Sequence, residues 1–461
     1  MRTSLPAIGQ AYLHSDLRLS AQTCKNWYPE LNKETSVIVS LQPWPGNKSF
    51  ATTTGDDRGT TFWNGLVYKV SGSTLCSVNA AGVSTVIGTV GGLGRCDFPA
   101  NTDYLVIVTS GLVYVYDGTT FTQNNSPELE SPNYGDYLNN QWIYQGQNGR
   151  FGVSDAGDPF TINALSYASA ESAGDPLVRP YVFNQILYLF GTKTVEQWYN
   201  SGAGDPPFDR IQQGIIQKGL GAADSVANND RVIYFFGDDR LVYQLAGNGV
   251  LSITPPALAR TFQDYADPSN AVGFTLTLNG QEFYMLHFPN ENTWAFNETS
   301  GGWFELTIGA NERPYPVTSH VYAYGKHLMA DDGELLELDD SLNTYNGLTV
   351  IKERTTGLIS GEMLGNAFIG KRMFMSRMEV IGKMKSPPST APLMMVDYSD
   401  DAGYTWSNPR FKPLSIDGNY SSVLRLTQLG SFKDRVFRYR ISDDMHMSLH
   451  KVSGDFKIGN N

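Results

Sequence analysis

The chain reads as an all-β protein, and three features of its 461 residues carry that reading. Aromatic residues make up 12% of it, with 25 Tyr and 23 Phe, and such side chains favour the half-buried pleated surface of a strand. Its 46 glycines cluster with Asn and Asp between apolar runs, as tight turns require. Runs of Ala, Leu, Glu and Lys that would sustain helices are scarce. A chain this long buries a sizeable core without staples and is expected to form two or three domains.

One theme recurs from about Thr61 to Asp340: an aromatic or β-branched strand, a turn rich in Gly, Asn and Asp, then a second alternating strand. The segments are FWNGLVYKVSG from Phe62, YLVIVTSGLVYVYDGTTF from Tyr104, QWIYQGQNGRFGVSD from Gln141 and VFNQILYLFGTKTVEQWY from Val182. RVIYFFGDDRLVYQL from Arg231, EFYMLHFPNENTWAF from Glu282 and HVYAYGKHLMADDGELLEL from His320 complete the series. Their starts lie 37 to 51 residues apart, near the ~40–50 residue period of four-stranded propeller blades. We expect a β-propeller of about six or seven blades over residues 61–345, with a stack of sandwiches or a solenoid as the competing architecture. Each small sheet buries only its neighbour-facing sides, so radial closure is what makes the unit stable. Within it, PPALARTFQDYADP from Pro255 opens on prolines suited to a first helical turn and spaces Leu258, Phe262 and Tyr265 helically, which predicts a short helix on a blade.

Residues 1–60 hold proline-marked strands around NWYPE and VIVSLQPWPG that cannot complete a blade alone. They are expected to close the ring on the last blade or to reach a neighbouring subunit. After about Leu348 the strands lengthen, in TVIKERTTGLISG, RMFMSRMEVIGKM, PLMMVDYSD and RVFRYRISDD, so residues 346–461 are expected to form a separate β-sandwich-like domain.

The sharpest local motif is Ser399-Asp400-Asp401-Ala402-Gly403-Tyr404-Thr405-Trp406, which fits the Asp-box pattern S-x-D-x-G-x-T-W. Asp401 can accept the turn's own amides, Gly403 supplies a positive φ, and Trp406 packs on the following strand; Ser399 and Thr405 complete a structural turn. Asp-boxes resemble turns of sialidases and other glycan-acting propellers, but such hydrolases need paired carboxylates, or a Tyr nucleophile with an Arg cluster. The pairs Asp56-Asp57, Asp238-Asp239, Asp331-Asp332 and Asp443-Asp444 read as turn caps. His446 and His450 would share a strand face without an evident third ligand, and His287, His320 and His327 read as packed strand residues. No phosphate-binding loop or Rossmann fingerprint is present. The reading is therefore a non-enzymatic chain with no catalytic residue, no cofactor and no metal.

With 34 Lys+Arg against 46 Asp+Glu, the formal charge of -12 would repel nucleic acid and anionic membranes. Two looser basic stretches, Lys371, Arg372, Arg377, Lys383 and Lys385, then Lys433, Arg435, Arg438 and Arg440, read as solvated faces that could meet an acidic partner. Cys24, Cys76 and Cys96, odd in number and widely spaced, suit folding in a reducing cytosol. The N-terminus lacks the pattern of a secretory signal and no run of about 18 apolar residues occurs, so a soluble protein without stable membrane insertion is expected.

NWYPELN at 26–32, the block QQGIIQKGLGAADSVANNDRVIYFFGDDRLVYQL from Gln212, the TPPALARTF segment and DYSDDAGYTWSNPR together resemble the packaged-DNA stabilisation proteins, the tail hub or nozzle, of short-tailed bacteriophages. The resemblance implies a virion protein assembled in the host cytoplasm as a homo-hexameric ring below the portal and its adaptor. It further implies non-specific passage of double-stranded DNA, sites for tailspikes or fibres, and a needle or plug. The acidic balance permits a lumen that passes DNA without gripping it. The alternative is a glycan-binding or glycan-cleaving propeller of the receptor-binding kind, favoured by the Asp-box and 8 Trp.

Overall fold

The computed structural model describes residues 2–8, 22–31, 39–170, 174–384, 392–414 and 421–458. Seven small antiparallel sheets surround one axis. Six are blades built from strands consecutive in sequence, with inner strands at Asp57–Trp63, the bridge segment at Asp97 and Ala100, Gly135–Leu138, Leu177–Phe183, Ala227–Asn228 and Val272–Leu278. The seventh begins at Ser319–Ala323 and is completed by the early strand Gly46–Thr52, which pairs antiparallel with Glu334–Asp339. Each of the seven repeated hairpins lies in its own blade.

The first turn of each blade explains why these segments fold as hairpins. In five blades it is a two-residue turn with positive φ at both positions: Asn64-Gly65, Asn139-Asn140, Asn184-Gln185, Asn279-Gly280 and Tyr324-Gly325. That geometry matches the twist of the flanking strands and explains the Asn and Gly found there. In the other two, the side-chain carbonyls of Asn101 and Asn229 each accept two backbone N–H groups of a wider loop.

Apolar clusters fill the seams between neighbouring blades, and the one between blades 6 and 7 is continuous with the sandwich core. Trp63 and Tyr68 meet Ile107 and Tyr114 between blades 1 and 2, and Phe190 meets Phe235 between blades 4 and 5. The helix Pro256–Asp264 buries Leu258 and Phe262 between blades 5 and 6, where Phe262 packs against Phe236, Phe288 and Trp303. Ala51, Val67 and Leu335 close the ring between blades 7 and 1.

Beyond the ring lies a two-sheet sandwich. One sheet runs in the order Trp27–Leu31, Val39–Pro43, Met447–Ile458, Met373–Met384, Ser421–Thr427, with Arg2–Ser4 on its flank. The other joins Cys24–Lys25, Lys352–Thr355, Val436–Ile441, Leu393–Ser399 and Arg410–Pro413, and it continues the sheet of blade 6 through a parallel pairing of Lys25 with Glu305. Met373, Met375, Met378, Met384, Met394 and Met447 fill the space between the sheets.

Residues 1–60 are thus not one unit. Arg2–Ser4 and the strands of 24–43 belong to the sandwich, Gly46–Thr52 to blade 7, and Asp57 already opens blade 1. At the other boundary, Leu348–Thr349 still pairs with Thr344–Tyr345 in the sheet of blade 7, and the C-terminal sandwich strands begin at Lys352. The cause is long-range pairing: a sheet edge takes whichever strand covers its unpaired N–H and C=O groups, regardless of separation along the chain.

Candidate functional site: propeller axis, blade-junction cleft and Asp-box hairpin

The innermost strands bring charged side chains to the axis, where they tie blades that are not neighbours. Arg179 of blade 4 ion-pairs with Asp97 of blade 2 and with Asp224 of blade 5, the latter at 3.4 Å, and donates to the carbonyl of Ala223 at 3.0 Å. Its guanidinium lies 4.8 Å from the Tyr134 ring and 5.9 Å from that of Tyr181. The link to Asp224 joins neighbouring blades, whereas the link to Asp97 passes over the axial side of blade 3. Beside them, Asp136 accepts the backbone N–H of Val182 at 2.6 Å and of Tyr137 at 2.8 Å, and burial pushes its carboxyl up to about 7.

A second network locks the seam between blades 1 and 7. The fully buried Asp57 carboxylate accepts from Thr318 Oγ1 at 2.8 Å and Ser319 Oγ at 2.9 Å, with Lys69 Nζ at 3.7 Å and Arg95 at 3.6 Å. Lys69 Nζ also donates to the carbonyls of Asp331 and Glu334, both at 2.6 Å, and burial lowers its pKa. Asp332 accepts the backbone N–H of Asp57 at 2.9 Å. Two of the four acidic pairs therefore join blades across this seam. Asp238 and Asp239 pair with Lys193 and Lys218, and Asp443 and Asp444 accept the backbone amides of Leu393 and Asn343.

On the face that carries the first turns, blades 5, 6 and 7 border a cleft of about 500 Å³ lined by Asp230, Thr277, Glu282, Tyr322 and the two histidines of blade 7. His320 Nδ1 faces the carbonyl of Thr275 at 3.2 Å, so that nitrogen carries the proton; its Nε2 accepts from His327 Nδ1 at 3.0 Å. Burial and the neighbouring ring lower His320 to about 3, and burial also lowers His327. His287 is a buried strand residue facing Thr293 Oγ1 and the Tyr315 carbonyl, and burial lowers it to about 4. His446 immediately precedes the strand Met447–Ile458 that holds His450. Among the described residues no group of three or more His, Cys, Asp or Glu is placed to hold a metal ion.

The Asp-box segment forms a tight loop after Leu393–Ser399. Ser399 Oγ donates to Asp401 Oδ1 at 2.7 Å and accepts the N–H of Gly403 at 2.7 Å, while Thr405 donates to Asp401 from both its amide, at 2.8 Å, and its hydroxyl. Those bonds hold the Asp401 carboxyl near 2, below its usual range. Gly403 sits at φ 93°, and Arg438 stacks 4.1 Å above the Trp406 ring.

The two basic stretches have different fates. Arg435 is buried, sandwiched against Tyr398 and Phe432 and paired with Asp400; Arg438 and Arg440 both pair with the buried Asp397. Lys433 is exposed, and Arg438 and Arg440 are half-buried. In the first stretch Lys371, Arg372 and Lys383 are exposed, Arg377 pairs with Glu379, and Lys385 lies outside the described residues. Sequence reading did not single out Asp57, Lys69, Arg95, Asp97 and Arg179 as a linked set. The available signal was a charged residue standing at an apolar phase of a strand, as in LVRPYVF and VYKVS.

A ring of blades laced on its axial side by ion pairs, and whose last blade is closed from the N-terminus, defines a β-propeller scaffold. The chain belongs to the Phage_stabilise family, described as Bacteriophage P22 Gp10, beta-propeller, whose model matches residues 3–343. It is thus a bacteriophage structural propeller by family. No curated protein matches it. Among solved structures it is similar to a streptogramin B lyase, with 11% identity, 68% of this chain and 98% of that chain covered, and a TM-score of 0.44. It is also similar to BamB from Moraxella catarrhalis, with 9% identity, 69% and 97% covered and a TM-score of 0.40, and to the Neurospora crassa Pan2 WD40 domain, with 11%, 62% and 88%, and 0.41.

Proposed function

We propose that the chain is a non-enzymatic subunit of the tail hub, or nozzle, of a short-tailed phage. In this reading six copies form a ring below the portal and its adaptor, retain packaged DNA, guide its ejection, and hold tailspikes or fibres and a needle. The observation that carries it is family membership over 3–343, which spans the blades and the N-terminal strands that bind propeller to sandwich. Two features support it. Arg179 and its partners stand on the axial side of the blades, so in this reading DNA passes through the centre of a ring of subunits and not through a propeller. Sheet continuity from blade 6 into the sandwich gives a stiff two-lobed subunit suited to bearing load.

The test is to add the purified protein to DNA-filled, adaptor-bearing heads from a parent phage lacking it, then to measure co-sedimentation and DNA leakage. Attachment with reduced leakage supports the hub. Absence of attachment overturns it.

A second reading, a glycan-binding propeller, is favoured by the cleft, where Tyr322, 60% exposed, stands with Asp230 and Glu282 as an aromatic platform with hydroxyl acceptors. Host polysaccharide that binds the wild type and is lost in Tyr322→Ala would favour it.

A further inference from the structure

Charge is distributed unevenly between the two lobes. Residues 46–345 hold 14 Lys+Arg against 32 Asp+Glu, whereas the rest of the chain holds 20 against 14. The basic excess has a definite location: the outer face of the first sandwich sheet, turned away from the methionine core. Strand register sets Arg2, Asp455 and Arg377 in one row of that face, and Glu379 beside Arg425 in the next. Arg2, Arg377 and Arg425 all converge on Glu379, so three cations share one carboxylate. Lys383, Lys451 and Lys457 project from the same face, exposed and with no carboxylate partner among the described residues. Phe374 and Val423 stand among them, 42% and 43% exposed.

The complement lies across the molecule. The sandwich grows out of blade 6, so in a ring of seven the edge farthest from it is that of blades 2 and 3. Blades 1 to 3, residues 57–170, hold 4 Lys+Arg against 9 Asp+Glu. Those four cations are engaged: Arg58 and Lys69 are buried, Arg95 sits by Asp57, and Arg150 pairs with Glu130. Of the nine acids Asp57, Asp97, Glu130 and Asp136 are likewise engaged within the molecule, which leaves five. Asp103, Asp117 and Asp155 are exposed in the loops at the first-turn end of blades 2 and 3, and the outermost strands of blades 1 and 3 add Val86 and Leu165, 70% and 74% exposed.

We propose that the basic sheet face of one copy docks on the first-turn end and outer strands of blades 1 to 3 of the next, head to tail. Two different matching surfaces on one molecule make a heterologous contact, which generates a ring where the rotation closes. Arginine mixed with exposed apolar side chains is the composition of a protein interface. Duplex DNA is the poorer occupant, because docking it would bring the acidic propeller toward the phosphates. The proposal extends the ring reading above, but its test uses no phage heads, so either can fail alone.

The experiment is sedimentation velocity of the full chain over a concentration series at low salt and at high salt, since a charge-steered contact weakens with ionic strength. Self-association is expected at low salt and should fall at high salt. Lys383→Glu/Lys451→Glu/Lys457→Glu should weaken it at least about tenfold, and so should Asp103→Lys/Asp155→Lys on the other surface. Mixing these two variants should restore dimers, because each retains the surface the other lacks; restoration also shows that both are folded. A chain that stays monomeric at low salt, or reversals that leave association unchanged, would overturn the proposal. Duplex DNA that binds the wild type and is lost with the three lysine reversals would replace it with a nucleic-acid face.

Discussion

At the scale of single residues, the buried charges are structural fasteners. Removing one partner of a buried ion pair leaves the other uncompensated, which typically costs about 3–5 kcal/mol. Lys69→Met should therefore destabilise the chain by roughly 3 kcal/mol or more, since it frees Asp57 and two carbonyls at the blade 1–7 seam; urea unfolding followed by tryptophan fluorescence measures it. Two other groups set a pH dependence with opposite signs. Asp136, raised to about 7, binds its proton more tightly folded than unfolded, so its contribution is full at low pH and lost as pH rises through about 7. His287, lowered to about 4, resists protonation when folded, so its contribution is full above about 6.5 and lost as pH falls toward 4. The two offset each other between about pH 4 and 6.5. Asp136→Asn should then show stability rising with pH across that window, and His287→Gln should show it falling; unchanged slopes would refute the assignment.

Among the elements, the decisive one is Gly46–Thr52. It is the fourth strand of blade 7, it lies after sandwich strands in sequence, and it brings both ends of the ring together. A chain beginning at Thr53 would lose this closure and the sandwich strands of residues 2–43 as well. It is expected to show no cooperative unfolding transition and rapid proteolysis, with a native-like thermal transition as the contrary result. Phe262→Ala empties the aromatic cluster of the helix Pro256–Asp264 and should cost about 3–5 kcal/mol, read from the shift in urea midpoint. The blades were legible in sequence because each hairpin is a local event: alternating apolar strands with Asn or Gly where φ must be positive. The helix was legible for the same reason, through its prolines and its spacing of Leu258 and Phe262. Strand exchange between the termini was not, since pairing Arg2 with Asp455 or Lys25 with Glu305 depends on which edges remain open once the sheets have formed. The Asp-box residues could be read as a turn because its bonds span four residues, whereas Arg179 with Asp97 spans three blades and leaves no local pattern.

At the scale of the molecule, the propeller and sandwich share a sheet, and opposite charges stand at opposite ends. A net charge of -12 conceals this, because the strongly acidic ring outweighs the basic sheet face of the smaller lobe. Counting charge by lobe, not by chain, would have exposed it from sequence. In an assembled ring the same arrangement would place the next copy's acidic blades on the basic face, leaving the surfaces near passing DNA without a strong excess of cations. The measurement that bears most directly on this account is a reconstruction of heads completed with the purified protein. It should show a closed ring of this chain at the portal vertex, the sandwich of each copy against blades 1 to 3 of its neighbour. Particles lacking the chain at that vertex, or carrying it only on fibres, would contradict the assignment as a tail hub.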